Sequence, residues 1–273
     1  MSNVITIEAK RGLVPLNLHE LWEYRELVYF MLWRDVKGRY RQMALGPLWM
    51  VINPLLNMVL FTVIFSMVAN LPSDGLPYPL FNYSALLPWT FFTGALHTAA
   101  GSLVGYRDLI SKIYFPRLVI PLVGVGGALV DFAISFLILL GMMVWYGFFP
   151  TFAILWLPVY LLLAACTGLA VGLWFASWIA HFRDMNSVLG YLSRLWMYGT
   201  PVVYASSMVP ERWRTLYDLN PMTVVIEGCR WSLLGSGPGP GRSLALAFAI
   251  VVPLMVAGAY YFRSTERSIV DIA

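Results

Sequence analysis

The chain has 273 residues, 59% of them apolar and 12% charged, about half the charged share of an ordinary soluble domain. So few polar groups cannot clothe a water-facing surface, and several apolar stretches reach the roughly 20 residues needed to cross a bilayer as a helix. The net charge of +4 is small and confined to particular loops, which speaks for membrane topology and against a nucleic-acid partner.

Residues 1–15 lack the apolar core and small-residue cleavage pattern of a secretion signal, so the later spans are expected to direct insertion. Asn17-Leu18-His19-Glu20 has the form of a helix-capping box. Apolar residues follow at Leu18, Leu21, Trp22, Val28, Tyr29 and Leu32, with Glu20, Glu23 and Glu26 on the other face. This spacing predicts an amphipathic helix from Leu18 to Trp33, too polar to span and expected along the membrane surface. The basic run Arg34, Lys37, Arg39 and Arg41 comes next.

A first span is expected over residues 48–69, then a Pro/Gly-rich turn at 71–79 and a second span over 80–104. Tyr106 to Phe115 alternates apolar residues with Arg107, Asp108, Ser111 and Lys112, which predicts a short amphipathic helix stopped by Pro116. Further spans are expected over 118–146, 152–179 and 188–204, the first two of these joined by a tight turn at 147–151. Residues 205–242 are mixed in character. The 13 residues Met222 to Leu234 are too few to cross as a helix, so an outer re-entrant hairpin is expected there. The glycine- and proline-rich run 235–241 leads to a sixth span over 244–262 and a tail at 263–273. The expected fold is an all-α integral membrane protein, with an N-terminal segment at 1–47 and a six-span domain at 48–273.

Lysine and arginine number seven before the first span and three in 105–117, with none in the loops at 70–79 and 147–151. Arg183, Arg263 and Arg267 continue the alternation, which places both termini in the cytoplasm. The outer segment 205–242 departs from it with four arginines, offset by Glu211, Asp218 and Glu227.

A phosphate-binding Walker loop needs lysine after glycine, and the three lysines follow Ala9, Val36 and Ser111, so the chain cannot hydrolyse ATP alone. His19-Glu20 starts like a zinc-protease helix but has Glu23 where the second histidine belongs. His97 and His181 stand alone. Cys166, in a span, and Cys229, assigned to a loop, form no disulfide framework or metal spacing. Ala164, Gly168, Gly172 and Ala176 lie four apart on one helix face, as do Gly101 and Gly105, which serves packing within one subunit or contact between two. Asp131 and Arg194 fall inside spans and require a partner, water or a polar pathway. Trp89, Trp196, Tyr198 and Tyr204 are read as interfacial anchors or as flat rings lining a sugar pathway.

The order of elements then becomes specific. Arg34-Asp35-x-Lys37-x-Arg39-Tyr40, Leu45-Gly46 with Trp49, Phe182-Arg183-Asp184, Asn220-Pro221 with Glu227, and the closing Glu266-Arg267 resemble the permease subunit of polysaccharide ABC exporters, the group that moves O-antigen, teichoic acid and capsule chains. The resemblance implies a homodimer of permeases in the bacterial inner membrane, with two separate subunits that bind ATP and Mg, and a lipid-linked polysaccharide passing between the permeases. No cofactor is implied for this chain. An ATPase interface is implied at Leu21, Trp22, Arg34, Lys37, Arg39, Arg107, Asp108, Lys112, Arg183 and Asp184. An outer gate is implied at Trp213, Asn220, Pro221, Glu227 and Arg230, and the first and fifth spans line the channel, with Trp89, Arg194, Trp196, Tyr198 and Tyr204 as candidates. The alternatives are a drug, lipid or haem exporter on the same fold, a membrane-embedded glycan-polymerising enzyme, and a secondary transporter. No catalytic constellation supports the enzyme, and no inverted repeat supports the secondary transporter.

Overall fold

A computed structural model of the chain describes residues 18–41, 48–110, 112 and 115–270. Regular structure among them is helical throughout: α1 (Leu18–Glu23), α2 (Arg25–Arg41), α3 (Trp49–Phe61), α4 (Tyr78–Ala100), α5 (Ser102–Gly105), α6 (Arg107–Ile110), α7 (Val119–Trp145), α8 (Leu157–His181), α9 (Met185–Tyr198), α10 (Glu211–Asp218), α11 (Pro221–Leu234) and α12 (Arg242–Val270). A π-helical stretch, Thr62–Val68, extends α3, and a 3-10 turn, Phe152–Trp156, precedes α8.

Four stretches are long and apolar enough to cross a membrane by themselves: Val51–Val68, Val119–Trp145, Phe152–His181 and Arg242–Thr265. The other two expected spans differ. α4 has 23 residues, about 34 Å at helical rise, yet most of its side chains are buried against protein. α9 has 14 residues, about 21 Å, and the expected helix to Tyr204 stops at Tyr198, where Gly199 to Tyr204 turn instead. Pro201 lacks the amide hydrogen that a continuing helix needs.

The core forms around α4, which packs against α7 on one side and α8 on another, with α12 against α8. Close approach of α4 and α8 depends on missing side chains. A Cβ on Gly168 would stand 3.1 Å from the Phe92 carbonyl oxygen, and one on Gly172 would stand 2.6 Å from Ala99 Cβ and 2.9 Å from the Leu96 carbonyl oxygen. Ala164 and Ala176 are fully buried on the same stripe, so the small residues of α8 serve packing within one subunit. Trp174 fastens α8 to α12, its indole nitrogen donating to the Leu254 carbonyl at 3.2 Å and its ring stacking on Tyr261 at 5.0 Å.

α1 and α2 form one nearly continuous helix that takes in the basic run, beyond the expected end at Trp33. One face of it is anchored to the bundle. Met31, Leu27, Val28 and Leu32 close over Val119, Ile120 and Val123 at the start of α7, because that face is apolar at helical spacing. Trp22, Tyr29, Phe30 and Trp33 stay exposed. The expected helix from Tyr106 to Phe115 is the single turn α6, while Ser111, Ile113 and Tyr114 lie outside the described residues.

Two ends of the bundle follow from these contacts. The basic end gathers α2, the 101–118 connection and the 182–184 turn, and the Arg263–Glu20 pair at 3.6 Å brings in the last helix. The hairpin end gathers residues 70–77, the start of α8 and residues 199–238. α3 and α9 sit at the periphery. None of Val51–Val68 is buried within the subunit, and α9 exposes Tyr191, Leu192, Leu195 and Tyr198.

Candidate functional site

At the basic end, the Tyr106 phenol donates to Asp35, and Arg34 pairs with the same carboxylate at 2.9 Å while its guanidinium lies 5.6 Å from the Tyr106 ring centre. Burial, reinforced by Asp35, pushes the phenol up to about 12, so it stays a neutral donor. This latch joins α2 to the 101–118 connection, next to Arg107, which shares a cavity with Arg183. Both line one cavity of about 410 Å³ with His181, Asn186 and Val104. Lys37 on α2, Asp108, Lys112 and Asp184 are exposed. Such a cation-lined mouth suits an acidic protein surface. Leu21 is not presented outward: it packs into the cluster between α2 and α7, whereas Trp22 is exposed. Arg39 lies on α2, and its side chain falls outside the described residues.

At the hairpin end, α11 begins at Pro221, whose missing amide hydrogen costs nothing in a first turn, with Asn220 as the cap. α11 is pressed against α8 so closely that a Cβ on Gly228 would stand 2.0 Å from Tyr160 Cε1. Arg230 is buried, with its guanidinium carbon 3.7 Å from the Phe81 ring centre and Nη2 donating to the Val202 carbonyl at 2.9 Å. Its Nε has no hydrogen-bond partner, and Glu227 one turn earlier, Asp74, Tyr78 and Tyr217 together oppose the cost of burying its charge. Burial pushes the Glu227 carboxyl up, opposed by a hydrogen bond from Ser206 and by Arg230. Glu227 also lines a polar cavity of about 310 Å³ with Asp74, Ser206, Arg214, Tyr217 and Asp218. Trp213 is half exposed on α10. Cys229, expected in a loop, is buried on α11, because residues 221–234 form a helix packed on α4 and α8.

Of the residues considered for a pathway, Trp89 is buried and packs on Phe92 at 5.2 Å, and Phe92 meets Trp196 edge-on at 5.0 Å. Tyr204 is half buried and shares a hydrogen bond with Tyr217. Arg194 and Tyr198 are exposed on α9. The three aromatic rings therefore form a ladder inside the subunit. Sequence reading missed the Tyr106–Asp35 latch, which joins residues 71 positions apart and leaves no local signal. Among the described residues no group of three or more His, Cys, Asp or Glu stands close enough to hold a metal ion.

The family model of the ABC-2 type transporter matches residues 26–234, from the start of α2 to the end of α11. The chain is 34% identical over 209 residues to the O-antigen export system permease protein RfbA of Myxococcus xanthus, covering 75% of this chain and 79% of that one. It is 29% identical over 194 residues to the O-antigen export system permease protein RfbA of Klebsiella pneumoniae, 71% of this chain and 74% of that one. Similarity extends to the polysialic acid transport protein KpsM of Escherichia coli, 23% identical over 205 residues, 74% of this chain and 78% of that one. With its membrane-length apolar helices and a match spanning most of its length, the chain belongs to the ABC-2 type transporter family of multi-pass membrane proteins.

Proposed function

We propose that this chain is the permease subunit of an ATP-driven polysaccharide exporter. It pairs with a second copy and with two separate ATP-binding subunits, and passes a lipid-linked polymer of the O-antigen type across the bacterial inner membrane. Both termini face the cytoplasm, so the basic end is the cytoplasmic one and the hairpin end the outer one. The observation that carries this reading is the open face of the first span: Met58, Phe61 and Phe65 pack on the core, but no residue of Val51–Val68 is fully buried, and Leu56, Val59, Leu60 and Val63 lie exposed, which leaves that face for a second subunit and a path between the two. The names of the relatives, two O-antigen permeases and a polysialic acid transport protein, support the cargo. The missing Walker lysine supports a separate ATPase.

On this reading the cavity holding Arg107 and Arg183, with Trp22, Arg34, Lys37, Arg39, Asp108, Lys112 and Asp184 around it, receives the ATP-binding subunit. Leu21 supports that surface from behind. Closure of the ATPase pair moves these elements as a rigid body and opens the space between permeases. Asn220, Pro221, Glu227 and Arg230 hold the outer hairpin as a gate, with Trp213 on its rim. Arg194 and Tyr198 face the path, while Trp89, Trp196 and Tyr204 shape it from behind.

Deleting the gene tests the cargo. Loss of surface polysaccharide, with lipid-linked polymer retained inside and rescue by the wild-type chain, is the expected result. Normal surface polymer together with loss of drug or lipid efflux would overturn it. Co-purification with an ATP-binding subunit, whose hydrolysis depends on the permease, tests the partnership.

A further inference from the structure

α4 is the most enclosed helix of the bundle, and its openings lie on one face. Of its residues only Thr90 and His97 are exposed, with half-buried Thr93 between them. Successive residues of a helix are about 100° apart, so Asn82, Thr90, Thr93 and His97 fall within about 80° of one another. Neighbouring helices bound this face without covering it. α9 touches α4 through Ser193 and Trp196, and α7 touches it through Ala128 and Phe132. Thr90 lies near the midpoint of a 23-residue helix, so this polar row stands at the depth of lipid tails. Threonines bonded to their own helix carbonyls tolerate lipid, but the ionisable ring of His97 on the same face calls for a water-filled path or a protein contact.

The hydrogen bonds say what the row offers. The Thr90 hydroxyl donates to the Leu87 carbonyl at 2.9 Å, and the Thr93 hydroxyl is shared between the Trp89 and Thr90 carbonyls at 3.1 Å each. The Ser193 hydroxyl donates to the Gly190 carbonyl at 3.1 Å, so His97 Nε2, 3.3 Å from that oxygen, is assigned as the donor by the network. Neutral His97 then keeps Nδ1 as an acceptor. The hydroxyl and ring protons of Thr90, Thr93 and His97 are thus spent on protein, and what these three turn outward is acceptor lone pairs. The complement is an uncharged molecule rich in donors, which describes water and the hydroxyl groups of a saccharide. Toward the hairpin end the row is shut. Asn82 is fully buried, and neither its amide nitrogen nor its amide oxygen has a hydrogen-bond partner. Burying an amide in that state is costly, and uncovering it relieves the cost.

We infer that Thr90, Thr93 and His97 form a contact track for the hydroxyl groups of the transported saccharide, open from the middle of the bundle to the basic end and closed at Asn82. The inference rests on the export reading and names residues outside the first and fifth spans. Thr90→Cys and Thr93→Cys, each in a Cys166→Ala background and assembled with the ATP-binding partner, are exposed to a charged, membrane-impermeant thiosulfonate in vesicles of both orientations. Leu137→Cys, on the exposed apolar face of α7, is the control. Reaction needs the thiolate and therefore water. The expected result is labelling of both threonine positions and not of the control, slowed in membranes from cells that make the polysaccharide relative to cells blocked in its synthesis. Threonine positions as inert as Leu137→Cys would overturn the track. Labelling at one rate in both kinds of membrane would leave a water path without saccharide contact, and overturns it too. Failure of the export reading shows differently, as normal surface polymer in a strain lacking the chain.

Discussion

Trp196 and Asn220, 24 residues apart in sequence, are joined by a 2.8 Å hydrogen bond from the indole nitrogen to the amide oxygen. The same oxygen accepts from the Met222 amide at 3.1 Å, and the Asn220 nitrogen donates to Thr200 Oγ1 at 3.0 Å. One side chain therefore caps α11 and ties it to the end of α9. Asn220→Ala removes both. Loss of the cap costs about 0.5–2 kcal/mol, and loss of the tether adds to it. The expected outcome is a lower unfolding temperature of the purified transporter and a loosened hairpin, read as faster proteolysis within 199–220. Asn220→Asp keeps the acceptor and should fall between the two.

Gly228→Ala forces a methyl group into the Tyr160 ring. Overpacking of a tight core costs roughly 1–3 kcal/mol, so lower thermal stability and reduced membrane yield are expected. Adding Tyr160→Leu, which clears the ring, should recover part of the loss. No recovery would show that the glycine serves some other purpose.

Glu227 gives the hairpin a pH dependence. Burial raises its folded carboxyl above the ordinary 4.5, with Ser206 and Arg230 opposing. The folded state therefore prefers the protonated form. That contribution is complete below the unfolded value and is lost as pH rises through the folded one. Unfolding temperature should climb as the pH falls from neutrality toward 4.5. In Glu227→Gln the climb should flatten, with higher stability at neutral pH. An unchanged profile in the variant would remove Glu227 as the cause.

Charge reversal of Arg107 and Lys112 together tests coupling. Both lie on the 101–118 connection, which Tyr106 latches to α2. Normal insertion with lost transport and lost permease-stimulated ATP hydrolysis is expected. Normal transport would show that the connection carries no force.

Asn82→Leu replaces an unpartnered amide with an apolar group of similar size. Removing a buried unsatisfied group should raise stability by about 1–3 kcal/mol, while export falls because the closed end of the row no longer accepts hydroxyls. A variant neither more stable nor slower would deny Asn82 any part in the path.

Much of this was legible in the residues. All-round apolar runs gave the spans at Val119–Trp145, Phe152–His181 and Arg242–Thr265 within a few residues. The 13 residues before Gly235 gave away a helix too short to cross, and α11, Pro221–Leu234, is that helix with one residue more. The face each helix turns inward was less legible, since a span that is apolar on every side carries no phase. Trp89 and Tyr198 look alike as aromatic residues in a span, yet one is 4% and the other 55% exposed. α9 deceived in a different way: its apolar run continues past Tyr198, while Pro201 ends the hydrogen bonds that a helix needs.

Where α8 runs along α4, backbone meets backbone at Gly168 and Gly172, with no side chain between to act as a bearing. Interdigitation that tight leaves those two helices no room to slide, so they travel as a single stator, with α12 bolted on through Trp174. On the export reading proposed above, motion delivered by an ATP-binding partner must therefore be spent on the more loosely attached α3 and α9, and the swing of those two helices sets how wide a polymer the passage admits.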